Sequence, residues 1–165
     1  MKTRPWLAHY DQGVPHTIEY PAVPISYFLE ESARKYPDRA CTIFKGAEIS
    51  FREMNVITDR LAAALIKMGV RKGDRVGIFI PNTPQFVMAF FGILKAGGVV
   101  VAIDARFTVP EIVRQANNAG IEVVFVMSNF YKMLKVAQPQ TNIKTLVVTK
   151  RYSFKWASSL ATRSS

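Results

Sequence analysis

The sequence has little of what chemical sites are built from. Its 165 residues include one cysteine, Cys41, which excludes a disulfide framework and every cysteine-rich metal module. Two histidines, His9 and His16, stand near the amino end; they are too few for a histidine-built metal centre. The phosphate-cradling patterns GxGxxG, GxxxxGKS and GxxxxGKT do not occur, and no serine sits in a GxSxG elbow. Apolar runs are short. Val76 to Ile103 carries only Lys95 as a charge, yet Pro81, Asn82, Pro84 and the pair Gly97-Gly98 divide it. The pieces are about thirteen residues or fewer, short of the roughly twenty that a helical span needs. Residues Met1 to Tyr10 lack the apolar core of a signal peptide. These absences together lead us to expect a reducing, cytoplasmic setting.

What is present describes a globular protein: 49% of the residues are apolar and 21% charged. The length allows one domain or most of one, burying roughly 70% of its unfolded surface. The net charge of +10 is unevenly spread. Up to Glu122 there are 15 basic and 12 acidic side chains; the 43 residues beyond carry seven basic ones and no acid. A nucleic-acid surface spreads charge along one face and interleaves it with exposed aromatics. Here most of the excess is single lysines spaced several residues apart, so no nucleic-acid partner is expected.

Periodicity organises the chain. Met1 to Val23, with three prolines, is an irregular lead-in. From Pro24 the residues Ile25, Phe28, Leu29, Ala33 and Tyr36 form one helical stripe, stopped by Pro37. Cys41–Phe44 and Glu48–Ser50 flank Lys45-Gly46-Ala47 as a short hairpin. Ser50 and Glu53 make a capping box for a helix with the stripe Phe51, Met54, Ile57, Leu61, Leu65 and Met68, and Gly69 stands at its end. Strand Arg75–Ile80 follows, then a helix with Thr83 as N-cap and Pro84 as its first residue. This helix is apolar all round from Phe86 to Leu94, which predicts cover on every face. Gly97-Gly98 ends it. Strand Val99–Ile103 leads to a helix opened by the box Thr108/Glu111 and closed at Gly120. Strands Glu122–Met127 and Thr145–Thr149 enclose a short helix near Phe130–Val136. Strands and helices alternate, and the strand runs are continuously apolar. That pattern predicts an α/β fold: a doubly wound, mostly parallel sheet with helices on both faces.

Candidate site residues are few. Asp104, at the carboxyl end of a parallel strand, occupies the edge where such sheets place ligand groups; a loop residue capping the next turn is the simpler reading. Asn82 and Thr83 share that position, and helix capping is the simpler reading there too. His9 and His16 fit surface or capping roles, Cys41 a small core residue, and Gly97-Gly98 a helix stop.

Several stretches in order carry a resemblance: Arg4–Tyr10, Gly13–His16, Tyr20–Pro24, Phe28–Arg39, Ile49–Asn55, Gly69–Val76, Pro81–Phe86 and Gly92–Val101. The series resembles the amino-terminal part of the adenylate-forming acyl-CoA synthetases, and its opening resembles the long-chain fatty acid–CoA ligases. It covers roughly residues 4–149. The resemblance implies a two-step ligase. A fatty carboxylate attacks the α-phosphate of ATP, giving an acyl-adenylate and pyrophosphate, and the thiol of CoA then takes the acyl group. In the family the phosphate loop, a later Thr-Glu pair, a ribose-binding Asp and a mobile Lys all lie downstream of the part seen here. The resemblance therefore implies no catalytic, cofactor-binding or metal residue in this chain. ATP, CoA and Mg²⁺ belong to the full-length member, with none bound to the fragment. Ala102 and Ala105 stand where the family commonly has proline, and Asp104 is similar to the amino-acid-activating relatives.

The expected division is a lead-in at 1–23, an incomplete amino-terminal subdomain of an adenylate-forming, AMP-binding enzyme at 24–149, and a non-family, disordered tail at 150–165. The expected function is the amino-terminal part of an ATP-dependent acyl-CoA synthetase of fatty acid metabolism, inactive alone. It takes its fatty acid substrate only in the full-length enzyme, and peripheral membrane association stays open. Two alternatives remain: an interaction module that pairs with a separate ligase remainder or a relative, and a basic protein using Lys132 to Arg163 on nucleic acid or anionic lipid.

Overall fold

Local signals decide the boundaries of most elements in the computed structural model, which describes residues 4–150. After a 3₁₀ turn at Pro5–His9 the lead-in has no regular structure and lies exposed. Helix α1 spans Ser26–Lys35. Strands β1 (Ala40–Phe44) and β2 (Ala47–Ser50) pair antiparallel. Both residues of their turn, Lys45 (φ 52°) and Gly46 (φ 79°), take positive φ, the pattern that matches the twist of a tight hairpin. Helix α2 spans Phe51–Lys67. Its capping box is complete: the Glu53 N–H donates to Ser50 Oγ at 3.2 Å, and the Glu53 carboxylate accepts from the Ser50 N–H at 2.9 Å. At the other end Gly69 is left-handed (φ 97°). The N–H groups of Gly69 and Val70 return to the carbonyls of Ile66 and Leu65, closing the helix.

Four strands form the main sheet: β3 (Arg75–Phe79), β4 (Val99–Ala102), β5 (Val123–Met127) and β6 (Thr145–Thr149). All their pairings are parallel, in the order β4-β3-β5-β6. Helices α3 (Pro84–Lys95), α4 (Val109–Ala119) and α5 (Tyr131–Ala137) make the connections. Successive strand residues point to opposite faces, and both faces are covered. Val76, Ile78, Phe125 and Met127 pack with Ala62 and Leu65 of α2 and Ala89 and Ile93 of α3. Phe79, Val124 and Val126 pack with Ile112 and Ala116 of α4 and Leu134 and Ala137 of α5. A smaller cluster of Leu29, Ile49 and Met54 joins α1, the hairpin and α2. The fold is the expected α/β arrangement, with a parallel main sheet and an antiparallel hairpin beside it.

Three expectations about faces need correction. In α1 only Leu29 and Ser26 are buried; Ile25 is 57% exposed and Phe28 52%. The stripe is amphipathic, but nothing among the described residues covers most of it. In α2 the buried face is Met54, Thr58, Ala62 and Leu65, whereas Met68 is exposed. Thr58 can be buried because its hydroxyl donates to the Met54 carbonyl at 2.9 Å, so no polar group is orphaned. In α3, Ala89, Gly92 and Ile93 are buried, while Phe86, Val87, Met88, Phe90, Phe91 and Leu94 are only half-buried. The all-round apolar helix is thus covered in part.

Candidate functional site

In a doubly wound sheet ligands sit beyond the carboxyl ends of the strands, where the strand order reverses. Here that place lies between β3 and β5: the chain leaves β3 for β4 on one side, and leaves β5 for β6 on the other. The residues brought to this edge are Asn82 and Thr83 after β3, Asp104 after β4, Ser128 and Asn129 after β5, and Lys150 after β6.

The first turn of α3 carries the polar groups nearest the reversal. Thr83 is the N-cap by its extended backbone, yet its side chain makes no capping bond. Its hydroxyl is buried without a partner, so the expected capping role is not what the side chain performs. Gln85, buried among apolar neighbours, donates from Nε2 to the Lys150 carbonyl at 3.1 Å, while its Oε1 has no donor. Asn82 is exposed and lines a depression of about 340 Å³ between α3 and the hairpin.

Asp104 behaves as the simpler reading expects. Its carboxylate accepts from the Arg106 side chain at 3.0 and 2.7 Å and from the Arg106 N–H at 2.9 Å, shaping the turn into α4. These bonds from Arg106, side chain first, lower its pKa from 3.8 to about 2. Glu31 is likewise lowered from 4.5 to about 2, by hydrogen bonds from Arg34 and then Lys35. Glu111 is lowered by the Thr108 N–H and hydroxyl, which complete the second helix box. In each case the folded chain holds its carboxylate charge more tightly than the unfolded chain. Their contribution is therefore full above the unfolded pKa values and is lost as pH falls toward about 2. We expect the urea midpoint to fall between pH 4.5 and 2, and to fall less steeply in Asp104→Asn. Identical slopes for the two proteins would dismiss the Asp104 contribution.

The remaining candidates do not converge. His9 and His16 are exposed in the lead-in, with His16 edge-on to Tyr10 at 6.1 Å. Cys41 is half-buried in β1 beside the Leu29 cluster, and burial pushes its thiol pKa up, which makes it a poor nucleophile. Gly97 (φ 80°) and Gly98 close α3 by bonding back to Leu94 and Ile93. Among the described residues no Ser, Thr or Cys side chain hydrogen-bonds a histidine. Nor could any group of three or more His, Cys, Asp or Glu residues hold a metal ion. No helix among them is long and apolar enough to cross a membrane.

Two features were beyond sequence reasoning. Lys95 reaches from α3 to α2, donating to Asp59 at 2.6 Å and to Asn55 Oδ1 at 2.7 Å from a nearly buried position. The second is an open apolar groove of about 390 Å³ between α2, α3 and strands β5 and β6, lined by Leu61, Met88, Phe125 and Val147. A lone lysine or glutamine on an apolar helix marks such positions only in retrospect.

The family described as AMP-binding enzyme matches residues 29–164; the disordered tail expected at 150–165 lies, beyond Lys150, outside the described residues. The chain is 35% identical over 124 residues to a long-chain-fatty-acid–CoA ligase of Bacillus subtilis, covering 75% of this chain and 22% of that protein. It is 31% identical over 151 residues to the enzyme of the same name in Salmonella typhimurium, covering 88% and 26%. A solved long-chain-fatty-acid-CoA ligase from Archaeoglobus fulgidus superposes with a TM-score of 0.76 at 23% identity, over 85% of this chain and 30% of that one. The chain thus spans about a quarter of the length of these curated relatives. Ordered motifs, parallel-sheet architecture and matched residues agree: the chain belongs to the family of AMP-binding enzymes.

Proposed function

We propose that this chain is the amino-terminal part of an ATP-dependent fatty acyl-CoA synthetase, acting in the cytoplasm, and that by itself it contributes scaffold and not chemistry. The observation that carries the reading is the 35% identity to a long-chain-fatty-acid–CoA ligase across most of the described fold. In the whole ligase ATP activates the fatty carboxylate, Mg²⁺ offsets phosphate charge, and CoA receives the acyl group. The residues described here do not fit those groups. No glycine-rich loop opens a helix, no cluster could hold a metal ion, and the carboxylate best placed at the sheet edge, Asp104, is engaged by Arg106.

A basic binding protein has less support. Of the basic residues after Glu122 within the described part, Lys135 bonds Gln138 and Lys144 pairs with Glu122 at 2.9 Å.

Pyrophosphate release tests the proposal. The purified chain with ATP, Mg²⁺, CoA and a long-chain fatty acid should release none above background. A chimera in which it replaces the corresponding quarter of the Bacillus subtilis relative should release pyrophosphate only when fatty acid is present. Release by the chain alone would refute the scaffold role. A folded but inactive chimera, beside an active parent, would refute the ligase reading.

A further inference from the structure

Helices α2, α3 and α4 each open on a serine or threonine N-cap, and at two of them a carboxylate meets the cap. In α2 the Ser50 N–H and hydroxyl donate to the Glu53 carboxylate at 2.9 and 2.8 Å. In α4 the Thr108 N–H and hydroxyl donate to Glu111 at 2.8 and 2.7 Å. Each carboxylate also lies at the positive end of its helix dipole. Helix α3 has the N-cap, Thr83, but Phe86 stands where the glutamate would be, and the first turn holds no acid. The Thr83 hydroxyl is left without a partner in a residue only 7% exposed.

Thr83 lines the depression of about 340 Å³ between α3 and the hairpin. From the hairpin side Thr42 lines it too, and its hydroxyl is likewise buried without a partner. Thr42 follows the irregularity in the β1–β2 register between Ala40 and Thr42, and a bulge of this kind re-aims the side chain beside it. Two orphaned hydroxyls from separate elements thus converge on one depression, and buried polar groups without partners are rare enough to need a reason. Apart from Asn82 the rest of the lining is apolar, and none of it is charged.

We infer that this depression binds a small organic acid, whose carboxylate takes the place at α3 that Glu53 and Glu111 fill at α2 and α4. The Thr83 and Thr42 hydroxyls and the first turn of α3 hold the carboxylate, while Ile43, Phe44, Phe86 and Val87 hold its apolar body. The sign follows from the dipole: a cation would meet the positive helix end, and a neutral head would forgo the attraction. Size follows from volume. The 340 Å³ is about twice the roughly 150 Å³ that takes benzene, which suits an acid of roughly a dozen heavy atoms. Water would satisfy the hydroxyls and leave the apolar walls and the dipole unused. The inference does not depend on the ligase reading above.

The probe is 2-naphthoate, an acid of that size, titrated at neutral pH into the isotope-labelled 165-residue chain and followed by amide NMR shifts. Residues 42–44 and 82–87 should shift together, with a dissociation constant on the order of 1 mM or lower. 2-Naphthylmethanol and 2-naphthylmethylamine carry the same ring on a neutral and a cationic head, and should bind about tenfold more weakly. Thr83→Val and Thr42→Val keep the side-chain shape and remove the hydroxyl; each should weaken 2-naphthoate about fivefold or more. Neither should lower the melting temperature of the unliganded chain, because no hydrogen bond is lost there. Should one variant fail to fold by circular dichroism, the other carries the test. No shift at these residues up to about 10 mM, shifts confined to another part of the fold, or equal binding of the alcohol or the amine overturns the inference. So does unchanged affinity in a folded variant.

Discussion

Phe79→Ala is expected to remove about 3–5 kcal/mol of stability, a large part of the 5–15 kcal/mol that holds a typical domain. Phe79 is the last residue of β3 and is fully buried. Its ring packs against Phe130 with centroids 4.8 Å apart, among Ile112, Val126 and Leu134. It therefore ties the strand at the reversal point to both helices on that face. Truncation leaves a cavity that the parallel strands on either side cannot close, because their register is held by hydrogen bonds. Urea unfolding followed by circular dichroism measures the loss. A change below about 1.5 kcal/mol would mean that the site collapses around the smaller residue. Val136→Ala, 60% exposed on α5, is the comparison and should change stability by about 0.5 kcal/mol at most.

The second large effect is expected at Gly92, in the middle of α3. Glycine there costs about 1 kcal/mol of helix propensity relative to alanine, so its presence needs a reason. A Cβ at this position would stand 2.6 Å from Leu61 Cδ2, 2.8 Å from its Cγ and 3.0 Å from its Cβ. The whole Leu61 side chain, not only its tip, blocks the space, and α2 and α3 owe their close approach to the missing Cβ. Gly92→Val should destabilise by about 3 kcal/mol through overpacking. Leu61→Ala in the same chain should recover at least about 1 kcal/mol of that loss, a coupling measurable in a double-mutant cycle. Additive losses would show that the strain is taken up elsewhere and that the approach of the helices is not what Gly92 serves.

Legibility in the sequence followed the range of the interaction. The Ser50/Glu53 and Thr108/Glu111 boxes, the Lys45-Gly46 turn and the glycine stops at 69, 97 and 120 each join residues within a few positions. Their chemistry can be read in place. The side chain of Thr83 fails this pattern: its position was legible, but the burial of its hydroxyl depends on how α3 meets the hairpin. The long-range ties left no local mark. Lys95 reaches Asp59 across 36 residues, Arg75 donates to the Ala119 carbonyl across 44, and Gln85 reaches Lys150 across 65. In α1 the periodicity lies in the sequence, but the burial of only Ser26 and Leu29 does not. An apolar stripe states what a helix could bury, while exposure depends on which neighbours exist.

The candidate site divides the same way. That Asp104 would shape a turn was visible from its place after a strand, because its partner Arg106 is two residues away. The groove was not visible, since Leu61, Met88, Phe125 and Val147 meet only after three elements are folded together.

Element identity, helix ends and the two-faced apolar strands were determined by the sequence itself, because hydrogen bonds within a turn and the alternation of side chains need no partner from afar. Tertiary structure decided that β5 lies beside β3 and not β4, which side of each helix is dry, and that an apolar trough remains open at β6. Those outcomes depend on competition among distant surfaces for burial. Apolar attraction is nearly non-directional, so its pattern in one segment does not say which other segment will satisfy it.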